Sequence, residues 1–183
     1  MRTLLLRSLL VRPVTVEAPT PDALPSEDPL LTELGKALEQ RARRLFGRSI
    51  TIREVDAGSC NGCELEIHAL NNAIYDVERF GIKFAASPRH ADVLLVTGPV
   101  SHNMKVALER TYAATPDPKW VVAVGDCAAG CGVFEGSYAV AGGGVATVVP
   151  VDLHIKGCPP RPIDLLKGLI ALMDRAVAPL DKA

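Results

Sequence analysis

Short, almost continuous apolar runs alternate with amphipathic stretches along the chain from residue 50 onward. Such runs are typical of strands that are buried on both faces, and the stretches between them are typical of helices packed on a parallel sheet. The pattern predicts an α/β fold with an open, mostly parallel sheet and helices on both faces. The predicted strands are 50–55, 81–86, 93–97, 120–124 and 146–149, and the predicted helices are 63–75, 104–114 and 160–177.

The first 49 residues follow a different pattern. Five prolines lie among acidic and polar residues between Pro13 and Pro29, as in an extended linker. We therefore interpret residues 1–28 as an N-terminal extension that ends in a proline-rich linker. Within 29–49, leucines at helical spacing predict an amphipathic helix, and its basic last turns are interpreted as a solvated face. The α/β domain is predicted to span 50–178, followed by a C-terminal tail at 179–183.

Charge and hydropathy exclude several kinds of partner. The chain has 20 basic and 21 acidic residues, and only 4% of its residues are aromatic. This balance indicates no nucleic-acid surface. No apolar run approaches the roughly 20 residues needed to span a bilayer, so no transmembrane segment is predicted. The apolar N-terminus is interrupted by Arg7 and lacks a small-residue cleavage site, which favours a cytoplasmic location.

Five cysteines are the main candidates for chemistry. Cys60 and Cys63 follow the first predicted strand, Cys127 follows the strand at 120–124, and Cys158 comes after another apolar segment. Because sites in open parallel sheets form at the carboxyl ends of strands, we expect these four thiols to share one edge of the sheet. An odd number of cysteines in a cytoplasmic protein favours metal or redox chemistry over disulfide bonds.

Each of these cysteines lies beside glycine or proline, so the backbone is able to approach a bulky inorganic group closely. Four thiolates from three such loops match the needs of a 4Fe–4S cluster. Zinc is an alternative, although four-cysteine zinc sites commonly have two paired motifs and this chain has one CxxC. A redox-active CxxC is another, although it requires no further distant cysteines. The residues therefore favour a cluster, while zinc, a redox pair and unrelated buried thiols stay open.

The sequence around these cysteines resembles the small, cluster-bearing subunit shared by nickel–iron hydrogenases and complex I, where it is the 20 kDa or B subunit. The resemblance extends from about residue 50 to 173. It rests on the motifs CNGCELE from Cys60, YDVERFG from Tyr75, PRHADVLLVTG from Pro88, PK from Pro118, GDC from Gly125, and VPVD from Val149 leading to GCPPRP from Gly157.

This resemblance implies a flavodoxin-like iron–sulfur domain with one 4Fe–4S cluster that faces a large catalytic subunit. It implies that Cys60, Cys63, Cys127 and Cys158 are the metal ligands that bind this cofactor. Complex I subunits usually carry two adjacent cysteines at the first position. The spacing Cys60-x-x-Cys63 is similar to the hydrogenase pattern, and in particular to the short small subunit of energy-converting membrane hydrogenases of the formate hydrogenlyase type.

The implied function is electron transfer by a subunit that is not catalytic by itself. It would relay electrons between a nickel–iron-type large subunit and a ferredoxin-like subunit. The resemblance implies a peripheral position on the cytoplasmic face of the inner membrane, with membrane subunits reached through the complex. The alternative is the B subunit of a complex I-like NADH/quinone oxidoreductase, beside a 49 kDa-like subunit. A third hypothesis, from a different class, is a zinc-stabilised interaction module.

Other residues support smaller hypotheses. Relatives usually have glycine near Cys131, so we interpret this cysteine as buried or adjacent to the cluster rather than as a ligand. Glu66 matches a family glutamate near the cluster and is a candidate for proton relay, with a polar helix anchor as the alternative. Asp56 is a candidate to hydrogen-bond the cluster loop or to form a salt bridge. Three histidines have no partner at metal-ligand spacing and are interpreted as structural: His68, His102 and His154.

Overall fold

The computed structural model describes residues 29–130 and 132–177. The predicted N-terminal extension at 1–28, the tail at 179–183 and Cys131 lie outside these described residues. The interpretations of those segments therefore stay predictions.

Five parallel strands form one open sheet in the order β2-β1-β3-β4-β5. This is the strand order of flavodoxin-like folds, in which the direction of winding reverses between β1 and β3. The predicted fold class is therefore confirmed. The strands are β1 (Ile50–Asp56), β2 (Ile82–Phe84), β3 (Val93–Thr97), β4 (Trp120–Val124) and β5 (Leu153–Ile155).

Helices cover both faces of the sheet because the central strands are apolar on both sides. Along β3, Val93 and Leu95 belong to one core, while Leu94 and Val96 belong to the other. This alternation follows from the two-residue period of a strand. Three helices pack on the first core, namely α1 (Pro29–Phe46), α2 (Gly62–Ala69) and α4 (Pro162–Val177), and α3 (His102–Ala114) packs on the second.

The strand predicted at 146–149 is wrong, because Val145–Thr147 forms a short 3₁₀ turn instead. The hydroxyl oxygen of Thr147 lies 2.7 Å from the carbonyl oxygens of both Gly142 and Gly144, so these two acceptors share its single proton. These bonds bend the segment back on itself, and both glycines have positive φ angles. An apolar run does not distinguish a strand from a buried turn, and here side-chain hydrogen bonds decide.

The helix predicted at 63–75 is too long, since α2 ends at Ala69. The side-chain carbonyl of Asn72 accepts hydrogen bonds of 2.9 Å from the amides of Ile74 and Tyr75. Asparagine offers the backbone this local alternative to a helix.

Side-chain carboxylates accept hydrogen bonds along the edge of the sheet where the strands begin. Asp92, which is 6% exposed, accepts two hydrogen bonds from the Arg48 guanidinium, at 3.0 and 2.6 Å, and one from the Thr51 amide at 2.9 Å. Asp152 accepts a hydrogen bond of 2.7 Å from the amide of Val121. The amino-terminal edge is thus fixed by bonds between neighbouring strands and loops, and the opposite edge is left for the site.

Candidate metal centre

Four cysteines meet around one cavity at the carboxyl edge of the sheet. The cavity has a volume of about 110 Å³, and Cys60, Cys63, Cys127 and Cys158 all line it as free thiols. Cys60 and Cys158 are exposed, while Cys63 and Cys127 are half-buried. The expected convergence of the three cysteine loops is therefore present. The other lining residues are Ser59, Gly62, Gly98, Asp126, Gly157 and Pro159.

The loop that carries Cys60 and Cys63 is shaped by side-chain oxygens. One carboxylate oxygen of Asp56 accepts hydrogen bonds from the amides of Gly58 (2.7 Å) and Ser59 (2.8 Å). The Ser59 hydroxyl in turn accepts a 3.0 Å bond from the Asn61 amide, and α2 begins at the next residue. Of the two roles considered for Asp56, the structure shows the hydrogen bonds to the loop.

Two glycines allow neighbouring loops to approach this segment. Gly98, after β3, has a φ of +72°, and a Cβ there would lie 2.5 Å from the Cβ of Ser59. Gly125, after β4, has a φ of +87°, and a Cβ there would lie 2.6 Å from the sulfur of Cys63. Both positions therefore need glycine for backbone conformation and for space.

The turns that carry Cys127 and Cys158 extend the pairing of β4 with β5. The Gly125 amide donates to the Ile155 carbonyl at 2.8 Å, and the Asp126 amide donates to the Gly157 carbonyl at 2.9 Å. Nε2 of His154 lies 2.9 Å from the carbonyl oxygen of Gly125. His154 therefore supports the cysteine turn, in agreement with the structural role expected for it.

The thiols influence one another's ionisation. Burial raises the pKa of Cys63 to about 12, and the charges of Glu64 and of the other three cysteines add to this effect. The pKa of Cys127 is also raised, first by burial and then by Cys158. Backbone hydrogen bonds from Val133 and Phe134 oppose that shift. The four sulfurs thus share one electrostatic environment, with backbone donors directed at one of them.

Glu64 is the polar residue of α2 whose burial the sequence did not reveal. It is 5% exposed, and neither of its carboxylate oxygens has a hydrogen-bond partner within the described part of the chain. Its place one turn before the buried Ile67 was the available sequence signal.

Glu66 is half-buried and does not line the cavity, so its proton-relay role stays a prediction. His68 lies 3.4 Å from the Glu54 carboxylate.

The size of the cavity indicates which kind of metal group the four thiols would bind. Among residues 29–130 and 132–177, no three His, Cys, Asp or Glu side chains form a group that could hold a single metal ion as they are placed. Cys60, Cys63, Cys127 and Cys158 line a cavity of about 110 Å³, which is larger than the roughly 10–15 Å³ of cavity volume that a single water needs. Four soft thiolate ligands around such a space fit an inorganic cluster.

Comparison with known proteins identifies a family. Residues 60–172 match the family described as "NADH ubiquinone oxidoreductase, 20 Kd subunit". The chain is 44% identical to the "Probable membrane-bound hydrogenase subunit mbhJ" of Pyrococcus furiosus over 76% of this chain and 85% of that protein. It is 47% identical to "Formate hydrogenlyase subunit 7" of Escherichia coli, over 66% of this chain and 47% of the relative.

A solved structure agrees with these sequence matches. A chain of the membrane-bound sulfane sulfur reductase, an archaeal respiratory membrane complex, superimposes with a TM-score of 0.63 and 35% sequence identity. The match covers 77% of this chain and 76% of that one. No helix in the described ranges is both long and apolar enough to cross a membrane.

Proposed function

Because the chain belongs to the family of the 20 kDa subunit of NADH–ubiquinone oxidoreductase, we propose that it is the electron-transfer subunit of a membrane-associated oxidoreductase complex. Four thiols from three loops around one cavity are the observation that carries this proposal. Cys60, Cys63, Cys127 and Cys158 would hold one 4Fe–4S cluster. When bound, such a cluster supplies one-electron transfer at a potential set by its charge, its hydrogen bonds and its exposure.

The surrounding backbone supports the same assignment. Gly125 leaves room for the sulfur of Cys63, and an added Cβ at Gly132 would lie 3.0 Å from the sulfur of Cys127. The amides of Val133 and Phe134 donate to that sulfur. Backbone donors around thiolate ligands offset the negative charge of an iron–sulfur group and tune its potential. These features belong to the protein chain and do not depend on the family resemblance.

We favour a hydrogenase-type complex over a quinone reductase. The spacing Cys60-x-x-Cys63 and the similarity to two hydrogenase-related subunits support this choice. The proposed partners are a nickel–iron-type large subunit on one side and a ferredoxin-like subunit on the other. Membrane subunits would be reached through the complex, on the cytoplasmic face of the inner membrane. The chain itself carries electrons and does not complete the reaction alone.

A complex I-like enzyme is the second candidate, since the matching family is described by its NADH–ubiquinone oxidoreductase member. In that case the same cluster would lie beside a 49 kDa-like subunit that lacks nickel ligands. The sequence of the large subunit encoded with this chain separates the two candidates. Paired CxxC motifs near both of its ends indicate nickel–iron chemistry, and their absence indicates quinone chemistry.

Two cysteine variants test the ligand assignment. Cys158→Ser should lower the iron content and weaken assembly with the large subunit, because one iron loses its thiolate. Cys131→Ala is the matched control and should leave the iron content close to that of the wild-type protein. Iron analysis of both variants, purified anaerobically, provides the measurement. A loss of about a quarter or more of the iron in Cys131→Ala would overturn the choice of Cys127 as the ligand from that loop.

A further inference from the structure

The turns that carry Cys127 and Cys158 are joined through the residues directly before these cysteines. The amide of Asp126 donates to the carbonyl of Gly157 at 2.9 Å. The amide of Gly157 donates back to the side-chain Oδ1 of Asp126 at 3.0 Å. Each proposed ligand is therefore one residue away from a reciprocal hydrogen-bonded pair that links two different loops.

The side chain of Asp126 continues the strand pairing beyond the point where the strands end. Val124 is the last residue of β4 and pairs with Ile155, the last residue of β5. Gly157 has a φ of +140°, and a Cβ there would lie 2.6 Å from the Cα of Pro160. The chain has left the extended conformation at this point, so its amide no longer meets a strand partner. The Asp126 carboxylate accepts that amide instead.

Asp126 and Gly157 both line the thiol cavity, so the Asp126 carboxylate that accepts the Gly157 amide lies close to it. A charged acceptor makes a stronger hydrogen bond to an amide than a neutral one. The negative charge of Asp126 also opposes the addition of an electron to a nearby iron–sulfur group, because like charges repel more strongly away from bulk water. The hydrogen bond and the negative charge therefore belong to the same side chain, Asp126, but substitutions are able to change one and keep the other.

We propose that Asp126 is a positioning residue with two roles: its Oδ1 holds the Cys127 and Cys158 turns together, and its charge lowers the reduction potential of the bound cluster. The proposal rests on the proposed function, since it requires a cluster in this cavity. Nothing in the sequence motif alone assigns either role. The bond joins residues 31 positions apart and becomes apparent only in the folded chain.

Two substitutions at this position separate the roles. Asp126→Asn keeps an Oδ1 acceptor and removes the charge, so it should retain the cluster and shift the midpoint potential to a more positive value. Asp126→Glu keeps the charge but displaces the acceptor by one methylene. It should lose iron to a chelator about 10- to 100-fold faster, as expected when a residue that supports a ligand is disturbed.

The measurements are iron and sulfide per chain, the rate of iron loss to a chelator, and an EPR-monitored redox titration, all on the full-length chain. Asp117→Asn and Asp117→Glu are the matched controls, because Asp117 precedes β4 at the opposite edge and is 84% exposed. Both controls should match the wild-type protein. An unchanged potential in Asp126→Asn overturns the charge role, and wild-type iron retention in Asp126→Glu overturns the positioning role. A wild-type chain without iron overturns the proposed function itself.

Discussion

The two edges of the sheet use similar bonds for different purposes. At the amino-terminal edge, Asp92 and Asp152 accept hydrogen bonds from the amides of Thr51 and Val121, which lie in neighbouring strands. At the carboxyl edge, Asp56 and Asp126 also accept backbone amides, but these amides belong to the loops that carry cysteines. One edge therefore fixes the fold, and the other fixes the positions of thiols.

The two edges also differ in how many of their polar side chains have hydrogen-bond partners. Asp92 has three hydrogen bonds although it is almost fully buried. Near the carboxyl edge, the buried Glu64 has none within the described residues, and two of the four thiols are exposed. Unpaired buried polar groups cost stability and are expected to be retained for function. Stability and chemistry are therefore divided between opposite ends of the same strands.

Asp92→Ala should have the largest effect on stability. The change leaves the Thr51 amide and the Arg48 guanidinium without their shared acceptor, and we expect a loss of about 2–3 kcal/mol in the free energy of unfolding. The value lies at the lower end for a buried pair because Arg48 is more than half exposed. Urea unfolding provides the measurement, with Asp117→Ala as the exposed control. Equal stabilities for the two variants would contradict a fold fixed at this edge.

Gly125→Ala should damage the site more than the fold. The residue has a φ of +87°, so alanine there costs about 1–2 kcal/mol, and its Cβ would displace the sulfur of Cys63. Gly47→Ala is the matched control, since Gly47 has a φ of +65° with nothing within 4 Å of an added Cβ. We expect a larger loss of stability in Gly125→Ala, because the steric contact adds to the backbone cost that both variants share, and a loss of iron only in Gly125→Ala. Equal iron contents would contradict the steric argument.

Glu54→Gln should have the smallest effect, and that effect should depend on pH. Burial raises the pKa of Glu54, and the nearby Glu64 adds to the shift while His68 opposes it. A carboxyl whose pKa is higher in the folded state contributes stability at low pH and loses it as the pH rises through the folded pKa. Glutamine does not titrate, so the variant should gain thermal stability relative to wild type as the pH rises from about 4 to 7.

Melting temperatures of both proteins across that pH range provide the measurement. A difference that does not change with pH would show that the buried position of Glu54 carries no ionisation cost.

The parts of the fold that follow from burial were predictable from the sequence. β3 and β4 are apolar runs of five residues that are rich in β-branched valine, and this composition favours strands buried on both faces in an α/β pattern. The errors at Val145–Thr147 and at the end of α2 arise where the side chains of Thr147 and Asn72 bend the backbone. Hydrophobic periodicity contains no information about such bonds.

The site was predictable to a similar degree. The rule for carboxyl ends of parallel strands brings the four cysteines to one edge, where the structure places them. The role of Asp126 was not predictable, because its bond to Gly157 depends on the relative position of two loops. The burial of Glu64 likewise depends on how α2 packs on the sheet. Cys131 lies outside the described residues, so the interpretation of this thiol stays a prediction.

The proposed electron-transfer function requires that the four cysteines hold one iron–sulfur cluster. The most direct test is the iron and acid-labile sulfide content of the full-length chain after anaerobic purification, supported by its EPR spectrum in the reduced state. We predict about four iron and four sulfide per chain and a paramagnetic signal on reduction. A colourless protein with one zinc and no acid-labile sulfide would contradict both electron-transfer functions and would favour a zinc-stabilised interaction module.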